Sequence, residues 1–345
     1  MSRPVDLYVC GSQIDQAPAY DANRFTLHPI ADRPLDRLST AELNDHLKAA
    51  ESDLVGFVDS RLVEHLSNAG EFVGPLIESE TPVALFLGNE ASASDWQNFP
   101  QSLAVLVRPI AENAVVLVRK SHLDQHGGLA DNADPLWEWT VRCVNRGELV
   151  ETGYERMSSG SGTAISGEGQ TLPKLAPKEP GRARQWLRDA IDSIDPKTWS
   201  SGSISPTEFT AIKAGLLQIH DFLDASHQHS QSIEHEGPYR DGNYWHAIMH
   251  RREPDYGNSK YWLRNVGEHP IFPQLAESAR TIGSHYSATD MTDSFATGDW
   301  DPFAFVDFCQ HCARSGDAKA IRIAEEVQWT EMQLLLEHSY RVAVD

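Results

Sequence analysis

Ser158-Ser159-Gly160-Ser161-Gly162, followed by Pro173, Pro177 and Pro180, is the stretch that decides the fold reading. Gly and Ser leave the backbone free, and Pro removes donors that regular structure needs. The stretch predicts a linker or long loop over 157–182. The chain changes character across it. Before it, short runs rich in Val, Leu and Phe alternate with helical stretches. After it, the pattern is helical. At 345 residues the chain is too long for one ordinary domain and suits two. The expected organisation is an α/β domain over 1–155, a linker with a short helix over 156–204, and an all-α domain over 205–345.

In the first part, Val5–Cys10, Leu54–Asp59, Val83–Leu87, Leu103–Val107 and Val115–Arg119 read as strands. Ala41–Ala50, Arg61–Ser67 and Leu136–Arg146 read as helices, the first led in by the N-cap chemistry of Ser39-Thr40-Ala41-Glu42. Alternation of this kind argues an α/β layer structure. Gly181–Ser193 reads as the short amphipathic helix of the linker. Ser205-Pro206-Thr207-Glu208 is a compact helix start. It opens a helix expected to run to about residue 233 on its apolar pattern. Gly242–Arg252, Phe272–Ile282, Pro302–Ser315 and Ala318–Tyr340 follow as helices, with no strand-period segment among them.

Lys plus Arg number 29 and Asp plus Glu 50, so the formal charge is −21. That balance argues against nucleic acid and anionic membranes as partners. A hydrophobic share of 40% still suffices for cores. The N-terminus, Met1-Ser2-Arg3-Pro4-Val5-Asp6, lacks the apolar core of a signal peptide. Apolar runs such as Ala114–Val118 fall far short of the ~20 residues of a spanning helix. The expectation is a cytoplasmic protein whose partner is a small-molecule substrate or ligand. The sequence leaves its oligomeric state open. The four cysteines, Cys10, Cys143, Cys309 and Cys312, are too few for a disulfide framework. Cys309-Gln310-His311-Cys312 lacks the second ligand pair of a structural zinc site and reads as buried packing.

Two stretches carry a resemblance. Ala49 to Asp59 resembles the strand leading to the metal-binding DxD of GT-A (family 2-like) glycosyltransferases. Ala114 to Lys120, then Gly127-Gly128-Leu129, then Leu136 to Arg142 and Gly147, resembles the acceptor-side half of the same family. The resemblance spans roughly 38–152 and implies a shortened GT-A/Rossmann-like sheet. The departures argue against the transferase reaction. Asp59-Ser60-Arg61 keeps one carboxylate of the DxD and puts a cation at the other. The family's catalytic acidic pair is matched by Pro135 and Leu136, with Glu138 surviving further along. The first domain therefore reads as a degenerate member.

The densest chemistry lies between His220 and Trp262. On one continuous helix, His220, Asp224, His227, Gln231 and Glu234 would form a polar stripe. In Tyr244-Trp245-His246-Ala247-Ile248-Met249-His250-Arg251-Arg252-Glu253-Pro254-Asp255-Tyr256, His246 and His250 are i and i+4, so their imidazoles share a helix face. Two such histidines can bind one divalent transition metal, zinc before others. His227 is the candidate third ligand, and Asp224 an alternative ligand or outer-shell group. The motif is not HExxH, because Ala247 stands where that motif's base would be.

Without a metal, His227, His246, His250, Glu253 and Asp255 can carry acid–base chemistry directly. Arg251 and Arg252 can clamp a carboxylate or phosphate. Trp245, Tyr256 and Trp262, with Tyr244 and Tyr261, offer flat faces, and Asn258 and Lys260 offer polar contacts, a mixture typical of saccharide sites. Plainer readings stand beside these. Arg251, Arg252 and Glu253 also read as an internal ion-pair network, Asp255-Tyr256-Gly257-Asn258 as turn chemistry, and His229 and His235 as surface residues. Glu325, Glu326, Glu331 and Glu337 read as a solvated face.

The second domain also resembles a group of uncharacterised bacterial and fungal helical proteins, through Tyr244–Tyr256 and Asn258-Ser259-Lys260-Tyr261-Trp262. That resemblance implies no activity. The leading expectation is an enzyme acting on a small polar substrate, a saccharide among the candidates, at the histidine cluster. The alternatives are a non-catalytic sugar or sugar-phosphate binding protein, and an atypical glycosyltransferase built around Asp59 and Glu138.

Overall fold

A computed structural model of the chain describes residues 5–11, 24–31, 33–60, 66–87, 97–109, 114–154, 172–200 and 202–345. The chain divides into two compact units. The first comprises Met1–Gly160 with Arg182–Ala190, and the second Ser161–Gly181 with Ile191–Asp345. The Ser158–Gly162 stretch and the start of the helix expected at Arg61–Ser67 lie outside the described residues.

The first unit is built on a mixed six-stranded sheet. Its strands are β1 (Val5–Cys10), β2 (Phe25–Ala31), β3 (Leu54–Asp59), β4 (Val83–Leu87), β5 (Ala114–Arg119) and β6 (Glu151–Tyr154), in the order β2-β1-β3-β5-β4-β6. β1 pairs in parallel with β2 and β3, and β4 in parallel with β6, while β5 runs antiparallel to both β3 and β4. Strands β1, β3, β4 and β5 are buried along their whole length, which is why they read as continuous apolar runs. Asp6 of β1 ties down the turn before β3: its Oδ2 accepts from the Glu51 and Ser52 amides, both at 2.8 Å.

The helices of this unit are α1 (Thr40–Ala49), α2 (Leu66–Ile77), α3 (Gln101–Val107), α4 (Lys120–Gln125), α5 (Pro135–Asn145) and α6 (Gln185–Asp192), the last belonging here through Ala190. α1 starts in a full capping box: the Glu42 amide donates to Ser39 Oγ, and the Ser39 amide donates to Glu42 Oε2.

One expectation in this unit is corrected, and one strand is additional to those expected. Leu103–Val107 is not a strand but the body of α3, with every residue from Ser102 to Val107 buried. A helix apolar on all sides shows no 3.6-residue period and looks like a buried strand. Conversely, Phe25–Ala31 is a strand, though Pro29 argues against one. β2 lies at the sheet edge, where Pro is tolerated, and its register with β1 shifts beside Pro29.

Among its described residues the second unit is helical: α7 (Pro206–Ile219), α8 (Leu223–Ser232), α9 (Asp241–Arg252), α10 (Tyr256–Val266), α11 (Phe272–His285), α12 (Thr289–Ala296), α13 (Pro302–Ser315) and α14 (Ala318–Val344). The single helix expected over 205–233 is two. The chain breaks at His220–Phe222, where Asp221 takes a left-handed backbone with φ 67°. The polar stripe is broken with it, and His220 becomes the buried C-cap of α7. Asp255–Asn258, read as turn chemistry, opens α10. Asp255 Oδ1 accepts from the Asn258 amide at 3.1 Å and caps that helix.

The expected solvated face of α14 is also corrected. Glu325, Glu326 and Glu331 are buried and paired, with Lys174, Arg322 and Arg251 respectively. Two of those partners come from distant parts of the chain, so no local pattern reveals them. Cys309 and Cys312 are free thiols buried on α13, as packing residues would be.

Candidate metal centre

Three histidines meet where α8, α9 and α10 come together. His227 stands on α8, and His246 and His250 one turn apart on α9. The i, i+4 spacing stacks the two α9 imidazoles, with centroids 4.8 Å apart and planes at 21°. His227 approaches edge-on, 4.7 Å from His246 and 5.4 Å from His250. One donor nitrogen from each ring lies within 4.8 Å of the other two. Nitrogens bound to one tetrahedral zinc at about 2 Å stand ~3.3 Å apart, so modest ring rotations would bring all three onto one ion.

What marks the cluster is its missing hydrogen bonds. His246 is 1% exposed, and neither of its ring nitrogens has a hydrogen-bond partner. His250 Nδ1 is also buried without one, although Glu253 Oε2 lies 3.4 Å away. Buried imidazoles ordinarily find partners, and each polar atom left without one costs about 1–3 kcal/mol. Burial, then the nearby His250 and His227, push His246 down to about 3, so its ring is neutral and its lone pair available. Burial and His227 lower His250 likewise, with Asp255 opposing. Burial raises the Glu253 carboxyl, and Asp224 and Asp255 add to that against the pull of His227.

Two other donor groups occur among the described residues, and of their buried donor nitrogens only His122 Nε2 lacks a hydrogen bond, with Glu148 Oε2 3.2 Å from it. Asp241, His269 and His338 satisfy one another: His269 Nε2 donates to Asp241 Oδ1 and His338 Nδ1 to Oδ2, both at 3.0 Å, with Ser339 Oγ on Oδ2 at 2.6 Å. Burial pushes Asp241 up, but the two histidine hydrogen bonds outweigh it and bring the carboxyl to about 2. In the first unit, His122, Cys143 and Glu148 gather around Arg146, which donates to Cys143 Sγ at 3.4 Å and to Glu148 Oε2 at 2.9 Å. A guanidinium among the donors repels a cation, and burial pushes the Cys143 thiol up to about 12. Neither group carried a sequence signal, because their members come from separate elements at irregular spacing.

Around the histidines the expected residues sort into two sets. Trp262 of α10 is buried flat against His246, with centroids 4.0 Å apart and planes at 19°. Glu253 and Asp255 follow His250 at the end of α9 and are exposed, as is Asp224, one turn before His227 on α8. Asp224 stays outside the set of donors close enough to share an ion, which leaves the outer-shell one of its two expected roles.

The second set points elsewhere. Arg251 is buried against Glu331 and Gln328, and Tyr244 also donates to Glu331. Arg252 is buried against Asp221 and the carbonyls of Gln218 and Lys174. Of the two readings of these arginines, the internal network is the one the geometry shows, and neither guanidinium is available as a substrate clamp. Trp245 is fully buried beside Gly215, with no face to offer a ligand. Tyr256 is half-buried, and burial, then Cys309, pushes its hydroxyl up. Lys260 pairs with Asp307 at 2.6 Å, and the Asn258 amide serves the Asp255 cap.

In the first unit, Asp59 closes β3. The basic pair after β5 is occupied, Arg119 by Asp53 and Lys120 by the Ala50 carbonyl. Glu138 pairs with Arg142 at 3.1 Å. No helix among the described residues is long and apolar enough to cross a membrane. No family model, curated protein or solved structure matches this chain.

Proposed function

We propose that the second unit is a metal-dependent enzyme that hydrolyses a small polar substrate at one divalent ion, zinc before others, held by His227, His246 and His250. The observation that carries this reading is the pair of ring nitrogens on His246, buried and without partners beside two further imidazoles. Three imidazoles suit a borderline-soft transition metal better than magnesium or calcium, which take oxygen ligands. Held by these three imidazoles, such an ion would supply an acidified water as the nucleophile.

The residues divide the remaining work. The neutral rings of His246 and His250 present lone pairs without first losing a proton. Trp262 covers one face of His246 and fixes its plane. Glu253 has a side chain 38% accessible and a carboxyl oxygen 3.4 Å from His250 Nδ1. Its raised pKa suits a group that takes up a proton from the reacting water and returns it to the leaving group. The aromatic faces expected for a saccharide are mostly buried in packing, so the reading rests on the histidines and Glu253 alone.

The test uses protein stripped with a chelator and reloaded with zinc, assayed on a panel of chromogenic esters, amides and phosphoesters. Hydrolysis should require the metal. Glu253→Gln should keep the metal and lose about 10²–10⁴-fold in turnover. Hydrolysis that survives stripping, or a Glu253→Gln protein as fast as the wild type, contradicts the proposal.

A further inference from the structure

The exposed charged side chains beside the histidines on α8 and around the end of α9 are carboxylates. His246 and His250 are buried, while His227 is half-buried and so marks the accessible side. Three carboxylates stand there. Asp224 is i−3 from His227 on α8, and exposed. Glu253 reaches within 3.4 Å of His250 Nδ1. Asp255 is also exposed, and its amide donates to the His250 carbonyl at 2.9 Å, which fixes its carboxylate just beyond the histidine. Both flanking aspartates lie near Glu253 and push its carboxyl up after burial, against the pull of His227, and Asp255 also acts on His250.

The cations that follow the histidines in sequence are engaged elsewhere. Arg251 is turned into the core against Glu331, Arg252 against Asp221, and Lys260 is bound to Asp307. A site for a carboxylate or phosphate would aim such groups at its ligand. Here the chain places arginines beside the centre and faces them away from it. The net charge of −21 extends the same sign over the molecule and draws cations in from a distance.

We infer that the ligand of this centre is cationic: a small molecule whose polar reacting group meets the histidine-held metal while an ammonium or guanidinium group, a few bonds away, is held by Asp224, Glu253 and Asp255. This inference rests on the metal reading above. It narrows the substrate class to amine- or guanidine-bearing compounds and excludes sugar phosphates and dicarboxylates. Recognition is by charge alone and involves no covalent step.

The experiment uses full-length protein loaded with cobalt(II), whose visible d–d bands report ligands entering the open position. Three hydroxamates of equal length are titrated: β-alanine hydroxamate (–NH₃⁺), butanohydroxamate (–CH₃) and succinate monohydroxamate (–COO⁻). The cationic probe should bind about tenfold more tightly than the neutral one, the sum of two or three partly exposed ion pairs. The anionic probe should be weakest, and added salt should narrow the series.

Asp224→Asn with Asp255→Asn should remove most of the preference while the cobalt bands persist. Asn at 255 retains the helix cap, and the wild-type series stands by itself if the variant fails to fold. Cobalt bands with equal binding of the three probes, or with the anion tightest, overturn the inference and leave the metal reading intact. Absence of cobalt bands overturns both.

Discussion

The indole of Trp262 and the imidazole of His246 lie in contact, with centroids 4.0 Å apart and planes at 19°. His235 approaches Trp262 at 5.8 Å, so the indole has a histidine near it from a second direction as well. A ring stacked in this way turns readily within its own plane, while tilting out of that plane meets the indole. Outer-shell supports of metal-bound histidines are typically worth 10–100-fold in affinity. Trp262→Leu keeps an apolar filler but removes the flat wall. It should weaken zinc binding by about tenfold, measured by competition with a chromophoric chelator. Unchanged affinity would show that the stack is packing alone.

Arg251 and Glu331 give a prediction that separates an internal pair from a substrate clamp. Both side chains are essentially inaccessible, at 2% and 0%. Arg251→Met leaves the Glu331 carboxylate buried with only the Tyr244 hydroxyl and should cost about 3–5 kcal/mol in urea unfolding. Metal stoichiometry of the folded fraction should not change. A stable variant with impaired ligand binding would restore the clamp reading.

Trp245 and Gly215 test the core assignment of an aromatic residue expected to bind substrate. A Cβ at residue 215 would come within 2.5 Å of the indole. The indole is fully buried and cannot retreat. Gly215→Ala should therefore destabilise the protein by about 1–3 kcal/mol, seen as a lower urea midpoint, with cobalt bands intact in the folded protein.

Asp241 sets part of the acid limb of stability. Its carboxyl falls from its ordinary 3.8 to about 2 because His269 and His338 hydrogen bonds outweigh burial. A depressed carboxyl contributes stability above its unfolded value, and loses it as pH falls through the folded one. Asp241→Asn should be less stable than the wild type at neutral pH. The gap should close between about pH 4 and pH 2, followed by urea midpoints across that range. A gap that is constant with pH would contradict the assignment.

Much of this molecule is legible in its sequence, and the illegible parts share a cause. Val5–Cys10 and Val83–Leu87 announce themselves as strands because both faces are buried, and Ser39 with Glu42 announces α1 because the capping box is local. His246 and His250 are found because their spacing is a property of one helix. His227 is found because it is a histidine on a neighbouring helical stretch, and the tertiary fold brings it to them.

What escapes depends on partners distant in sequence. Arg251 looks like a clamp until Glu331 is seen 80 residues on, and Glu331 looks solvated for the same reason. Leu103–Val107 misleads because burial on all sides erases the helical period. The break at Asp221 has no Gly or Pro to signal it.

The central claim is that His227, His246 and His250 hold one divalent transition metal. Elemental analysis of protein purified without chelators tests it most directly, on the wild type and on His227→Ala, His246→Ala and His250→Ala. The account predicts about one equivalent of zinc or a similar ion in the wild type. Each folded variant should lose it. A wild type free of transition metal that also fails to take up zinc or cobalt on titration would contradict the account, as would variants that keep the full equivalent.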